Sequence, residues 1–230
     1  MTRLYVGTSG YSYKEWRGTF YPKKLASSDY LSFYAESFSS VEVNNTFYRM
    51  PSTDMVTRWR SQVPDTFRFS IKASQRITHR KRLLDPDELL GYLFGALAEL
   101  GPQLGVVLFQ LPPNFRASLE RLDVFLNALP PGKAAFEFRH SSWDTPEVNR
   151  RLADHGAARV LVDTAESPLT TWEKTAEFGY FRLRRENYDP KELARWRERI
   201  ENAGWSEAFV FFKHEDEALG PTFARSFLAS

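Results

Sequence analysis

The chain contains no cysteine, which removes disulfides, thiolate zinc sites and cysteine nucleophiles from consideration. Long apolar runs are missing as well. None approaches the roughly 20 residues that a membrane-spanning helix needs, so no membrane partner is expected. The opening M-T-R-L-Y-V-G-T lacks the charged-then-apolar order of an export signal, and a cytoplasmic protein is expected. Neither sign of charge dominates. Lys and Arg number 31 against 29 Asp and Glu, and a net charge of +2 gives no global field toward nucleic acid, though a local basic patch is compatible with it. No G-x-G-x-x-G follows the first apolar segment, and no Walker sequence, G-x-S-x-G elbow, H-x-H or H-E-x-x-H pair occurs.

What the chain does have is a recurring unit: an apolar segment, a polar tip, a loop and an amphipathic stretch. With 230 residues, 42% of them hydrophobic and 15% aromatic, one large α/β domain over 1–230 is expected. Strands are predicted over 4–8, 40–44, 67–73, 105–111, from 134, and over 158–163, 178–183 and 208–213. Helices are predicted over 28–38, 52–63, 86–100, 117–129, 146–155, 190–203 and 219–228, with 164–176 irregular. Ser27 or Ser28, Ser52 after Pro51, Asp144 or Thr145, and Asp189 before Pro190 read as helix-entry signals. The run 105–111 is apolar until Gln110, the pattern of a strand buried on both faces and therefore parallel to its neighbours. Eight strands alternating with helices predict a single (β/α)8 barrel of the TIM type, with an open doubly wound sheet as the alternative.

In a barrel, chemistry collects at the carboxyl ends of the strands. The segment A-A-F-E-F-R-H-S-S-W carries the densest set there. Glu137 and Arg139 share one face of its strand, with Phe136 and Phe138 on the other. Elsewhere the polar tips are Ser9, Glu42 with Asn44, Lys72, Gln110, Asp163, Arg182 and Lys213. Two designs fit mixed charges in one mouth. In the preferred one, Lys72, Arg182 and Lys213 hold an anionic substrate such as a phosphate or carboxylate, while Glu137 or Asp163, with Glu42 nearby, moves a proton. In the other, the charges neutralise one another and the site binds a neutral polar ligand.

Metal binding is the weaker reading. His79, His140 and His214 follow strands, His155 sits at a helix end, and a magnesium site from Glu42, Glu137 and Asp163 would compete with adjacent cations. The sequence leaves the cofactor unknown. Lys72 could form a Schiff base if desolvated, against the simpler role of an ion-paired lysine. The basic run R-I-T-H-R-K-R over 76–82, with Tyr13, Trp16, Phe47, Tyr48 and Trp143 as stacking surfaces, defines an alternative nucleic-acid-binding or nuclease-like function. A non-catalytic ligand-binding module is the third reading.

Six motifs in order, G-T-S-G-Y, W-R-G-T-F-Y-P, V-E-V-N-N-T-F-Y-R-M-P, K-A-S-Q-R-I-T-H, Q-L-P-P-N-F and E-F-R-H-S-S-W, resemble the YecE-like family, domain of unknown function 72. The resemblance implies a TIM-type barrel and names no reaction. It places Glu42, Asn44, Asn45, Tyr48, Lys72, Thr78, His79, Gln110, Glu137, Arg139, His140, Trp143 and Asp163 among the pocket residues. The chain departs from the family pattern at Tyr11, where tryptophan is common, at R-L-R-R from Arg182 and at F-K-H-E from Phe212.

Overall fold

The structure, a computed structural model, describes residues 1–213 and 218–230. Its strands are β1 Arg3–Thr8, β2 Ser40–Val43, β3 Arg68–Lys72, β4 Leu104–Gln110, β5 Ala134–Glu137, β6 Ala158–Arg159, β7 Leu161–Asp163, β8 Phe178–Leu183 and β9 Glu207–Phe212. Its α-helices are α1 Tyr30–Ser37, α2 Thr53–Ser61, α3 Pro86–Leu97, α4 Leu119–Ala128, α5 Pro146–Asp154, α6 Pro190–Glu201 and α7 Leu219–Ala229. The fold is α/β, and every strand pairing is parallel, as the alternating elements predict. The strands form two sheets, ordered β2-β3-β4-β5-β6 and β1-β9-β8-β7.

The predicted strand 158–163 is divided between the two sheets at Val160. The Arg159 amide donates to Thr175 Oγ1 at 2.8 Å, and Val160 still donates to Phe136 O, whereas Leu161 onward pairs with β8. At the other seam, Ser9 and Glu42 form an isolated parallel bridge, and the Gly10 amide donates to Glu42 O at 2.8 Å. Tyr34 of α1 strengthens this seam from outside. Its hydroxyl accepts from the Thr8 amide at 2.7 Å and lies 3.1 Å from Ser40 O, as donor to it. Gly7 permits the approach, since a Cβ there would stand 1.8 Å from Ser40 O.

Alternation sorts side chains into two layers. Tyr5, Val106, Leu108, Ala135, Val160, Tyr180, Phe209 and Phe211 form one buried cluster, the inner face shared by both sheets. The opposite face of the strands, including Val41, Ile71, Val107, Phe109, Phe136 and Val210, packs with the helices in a larger cluster. Burying these side chains at about 25 cal/mol per Å² of apolar surface supplies the main stabilisation.

Local signals were partly overridden. Ser52, Thr145 and Asp189 cap α2, α5 and α6 with their side chains. Neither Ser27 nor Ser28 caps α1, because residues Ser27–Asp29 form a 3₁₀ turn that leads into the helix. Helix α3 ends at Leu97 rather than near 100, giving way to a 3₁₀ stretch broken at Gly101, whose φ is +51°. The expected basic loop contains a π-helical turn, Arg76–Arg80, which buries Ile77 and Thr78.

Candidate functional site

The inner face turns from apolar to ionised within one residue step toward the carboxyl ends of the strands. Tyr180 lies in the apolar layer and carries the first polar atom. Its hydroxyl donates to Glu42 Oε2 at 2.8 Å and lies 2.6 Å from Ser70 Oγ. Two residues on, Arg182 reaches across the sheets. Nη2 donates to Glu42 Oε1 at 2.7 Å, and Nη1 donates to Glu137 Oε2 at 2.5 Å. Gln110 Nε2 completes Glu137 at 2.8 Å, and Asn44 Nδ2 reaches Glu42 Oε1 at 3.2 Å. Glu42, Glu137, Gln110 and Arg182 are all buried.

Each ionisation follows from these contacts. Burial by itself pushes the Glu42 carboxyl up, but the Arg182 and Arg184 guanidinium charges and the Tyr180 hydrogen bond more than offset it and bring the pKa to about 2. Glu137 is lowered in the same way: burial, the largest single effect, raises it, and the Arg182 and Arg184 charges together with hydrogen bonds from Arg182 and Gln110 more than offset it. Burial opposes the charge of Arg182, yet the two carboxylates hold it firmly protonated. Burial first, and the Glu42 charge second, raise the Tyr180 hydroxyl well above its ordinary range. The cluster is a locked pair of carboxylates around one guanidinium.

Lys72 and Arg184 share this face and are not locked. Among the described residues neither has a carboxylate within 4.0 Å. Lys72 Nζ lies 4.4 Å from the centroid of the Phe47 ring. Desolvation, then the Arg182 charge, lowers Lys72 to about 8, with Glu42 and Glu137 opposing. Burial and Arg182 likewise lower Arg184, whose Nε is buried with no hydrogen-bond partner among the described residues. Asn44 Oδ1 is in the same condition. His79 stands edge-on to Phe47 at 4.9 Å, its Nδ1 2.9 Å from Thr78 Oγ1. Burial and the charges of Lys72, Arg139 and Arg82 hold its pKa below the ordinary value. Arg139 is exposed at the same mouth, where its charge reaches both His79 and Arg184.

The sequence-predicted set thus divides. Glu42, Asn44, Lys72, Gln110, Glu137 and Arg182 converge, with His79 and Arg139 bordering them. Asp163 does not join them. It points to the helix side of β7, where Arg185, the Tyr188 hydroxyl and the Leu169 amide take up its oxygens. Trp143 is fully buried against Phe138 and Phe115 and donates to Phe115 O at 2.7 Å, so its face is closed to a ligand. His140 spends Nδ1 on the Ser142 amide. Tyr48 is 76% exposed, beside Phe47. Lys213 is exposed, its backbone amide bonded to Leu183 O, and His214 lies outside the described residues. Trp16 is buried, Tyr13 packs against it and donates its hydroxyl to Ser9 O at 2.8 Å, Phe47 is half-buried and Tyr48 is exposed. In the basic run, Lys81 pairs with Asp85 and Arg82 lies over Phe115. Tyr180, Ser70 and Arg184 were not singled out as site residues. The i, i+2 spacing of Tyr180, Arg182 and Arg184 was the signal that could have found them.

Among the described residues, no group of three or more His, Asp or Glu side chains is placed to hold a metal ion, and no helix is long and apolar enough to cross a membrane.

A parallel α/β fold with an ionised cluster at its strand ends is the class that this geometry defines. The chain belongs to the family described as "Protein of unknown function DUF72", whose model matches residues 5–230. It is 32% identical over 169 residues to the UPF0759 protein YecE of Escherichia coli (strain K12), a match that covers 70% of this chain and 59% of that protein. The chain therefore spans about three fifths of that relative's length. A crystal structure of a DUF72 family protein from Thermotoga maritima MSB8 superposes with a TM-score of 0.83 at 29% identity, covering 99% of this chain and 98% of the other. A DUF72 family protein from Enterococcus faecalis V583 shares the fold at 19% identity, with a TM-score of 0.79 over 100% of this chain and 99% of that one.

Proposed function

We propose that the chain is an enzyme that binds a polar anionic substrate, with phosphate esters as the leading class, at the mouth of a single TIM-type barrel spanning residues 1–230. The barrel reading is supported at both seams, by the 158–163 segment, which pairs with β5 at its start and with β8 at its end, and by the Ser9–Glu42 bridge with Tyr34. One observation carries the anion. Glu42 and Glu137 both spend their oxygens on Arg182, which leaves that triad one negative charge, while Lys72 and Arg184 have no carboxylate partner and add two positive ones, so among the described residues the mouth keeps a net positive charge, to which exposed Arg139 adds. A half-buried cation without a counterion is costly, and an anionic ligand relieves that cost.

The same geometry supports a division of roles. Glu42 and Glu137 stay ionised across the physiological range, so they fix Arg182 rather than move protons. Asp163 is committed to Arg185 and Tyr188, which removes it from proton transfer. Lys72, lowered to about 8, changes protonation near neutrality, His79 is held below its ordinary value and so offers a neutral imidazole there, and proton transfer falls to these two.

The test is a melting experiment at constant ionic strength, with millimolar inorganic phosphate exchanged for chloride. Wild-type melting temperature rises with phosphate by ligand linkage, and Lys72→Met and Arg184→Met lose the rise. Identical melting in phosphate and chloride removes the proposal.

A further inference from the structure

Lys72 lies where a lysine becomes reactive rather than merely charged. Its ammonium has an aromatic face on one side and two guanidinium groups, those of Arg182 and Arg184, on the same inner surface. The carboxylates whose field reaches it, Glu42 and Glu137, are each hydrogen-bonded to Arg182. Desolvation and a neighbouring cation are the two conditions that make a lysine amine nucleophilic. Both also disfavour its protonated form, lowering it from 10.5 to about 8.

A proton carrier stands at the same ring. Phe47 touches Lys72 on one side and His79 on another. The Thr78 hydroxyl donates to Ser74 O at 3.4 Å, so it accepts from His79 Nδ1–H at 2.9 Å. His79 Nε2 is then the basic nitrogen.

From this arrangement we infer that Lys72 is the nucleophile toward an anionic aldehyde or ketone, forming an imine at its carbonyl carbon while Arg184 and Arg139 hold the anionic group. The inference rests on the anion-binding reading above and narrows its substrate class. The neutral Nζ attacks the carbonyl carbon, and the C=O π pair moves to oxygen. His79 relays a proton from nitrogen to that oxygen. Loss of the second nitrogen proton, with departure of the oxygen as water, leaves the C=N bond. One water is released, and no oxidant or reductant is consumed.

Pyridoxal 5′-phosphate, which joins an aldehyde to a phosphate, is the probe. The full chain is incubated with it at neutral pH, reduced with borohydride and mapped by peptide mass spectrometry. Label on Lys72 at least about tenfold above any other lysine is expected, because the lowered proton affinity raises the neutral-amine fraction there by on the order of a hundredfold. Inorganic phosphate should protect, Lys72→Arg should remove the label with circular dichroism unchanged, and pyridoxal lacking the phosphate should label Lys72 far more slowly. Label spread over exposed lysines such as Lys23 and Lys191, while phosphate still raises the melting temperature, overturns the imine and leaves anion binding standing. Equal labelling of Lys72 by pyridoxal overturns the anionic requirement. No Lys72 preference together with no phosphate effect ends both.

Discussion

Arg182 Nη2 meets Glu42 Oε1 at 2.7 Å across 140 residues of chain, both side chains being buried. The same guanidinium serves Glu137, so its removal strands two buried carboxylates. Breaking a buried ion pair by deleting one partner costs about 3–5 kcal/mol. Arg182→Met should lose at least that much in urea denaturation, or fail to fold. Adding Glu42→Gln and Glu137→Gln to it should recover part of the loss. Equal losses in the single and triple variants would show that the charges were not the cause.

Acid stability carries the signature of Glu42. Its carboxyl falls from an ordinary 4.5 to about 2 on folding. A depressed carboxylate contributes stability above its unfolded pKa and loses it as pH drops through the folded value. The contribution is about 3 kcal/mol, withdrawn between those two values. In Glu42→Gln, whose stability is lower throughout, the acid limb of a stability–pH curve should be shallower by that amount. An unchanged slope would place the proton uptake elsewhere.

Lys72 has the opposite linkage. Its folded pKa is about 8 against 10.5 unfolded, so folding expels a proton between those values and stability rises with pH there. Below that window the charged amine is a burden. Lys72→Met should therefore be more stable at neutral pH, by about 1 kcal/mol once solvent screening of this part-exposed group is allowed for, and should lose the alkaline rise. The gain in melting temperature should accompany loss of phosphate binding, the pattern of a residue kept for function at the expense of stability.

Gly7 is held to a steric demand. An added methyl would stand 1.8 Å from Ser40 O, on backbone that cannot move without parting β1 from β2. Gly7→Ala should yield little folded protein, or a protein destabilised by more than about 3 kcal/mol through overpacking. A melting temperature near that of the wild type would mean that the β1–β2 seam is looser than described.

Much of the architecture was legible in short stretches of chain. The run 105–111 reads as a strand buried on both faces, and the structure has one there, shifted by one residue to Leu104–Gln110. Ser52, Thr145 and Asp189 announce their helices because a cap needs only a side-chain oxygen within three residues of a free amide. Parity within a strand also carried, which is why Glu42, Lys72, Gln110 and Glu137 were brought onto one face. The reading failed at Asp163, whose parity along its own segment is that of outward-facing Leu161. Asp163 looks equivalent to Glu137 in sequence, yet in the structure its strand presents Val160 and Val162 inward and Asp163 outward.

Composition and order thus settled the parallel α/β plan, the two faces of each strand and the types of polar group at their ends, because periodicity and capping act over a few residues. The partnerships were settled elsewhere. Whether Arg182 neutralises Glu42 or awaits a substrate, and whether Lys72 is paired or bare, depends on which atoms from distant strands come within about 3 Å of one another. That distance is set by how the two sheets close around their inner side chains, and local spacing along the chain carries no measure of it.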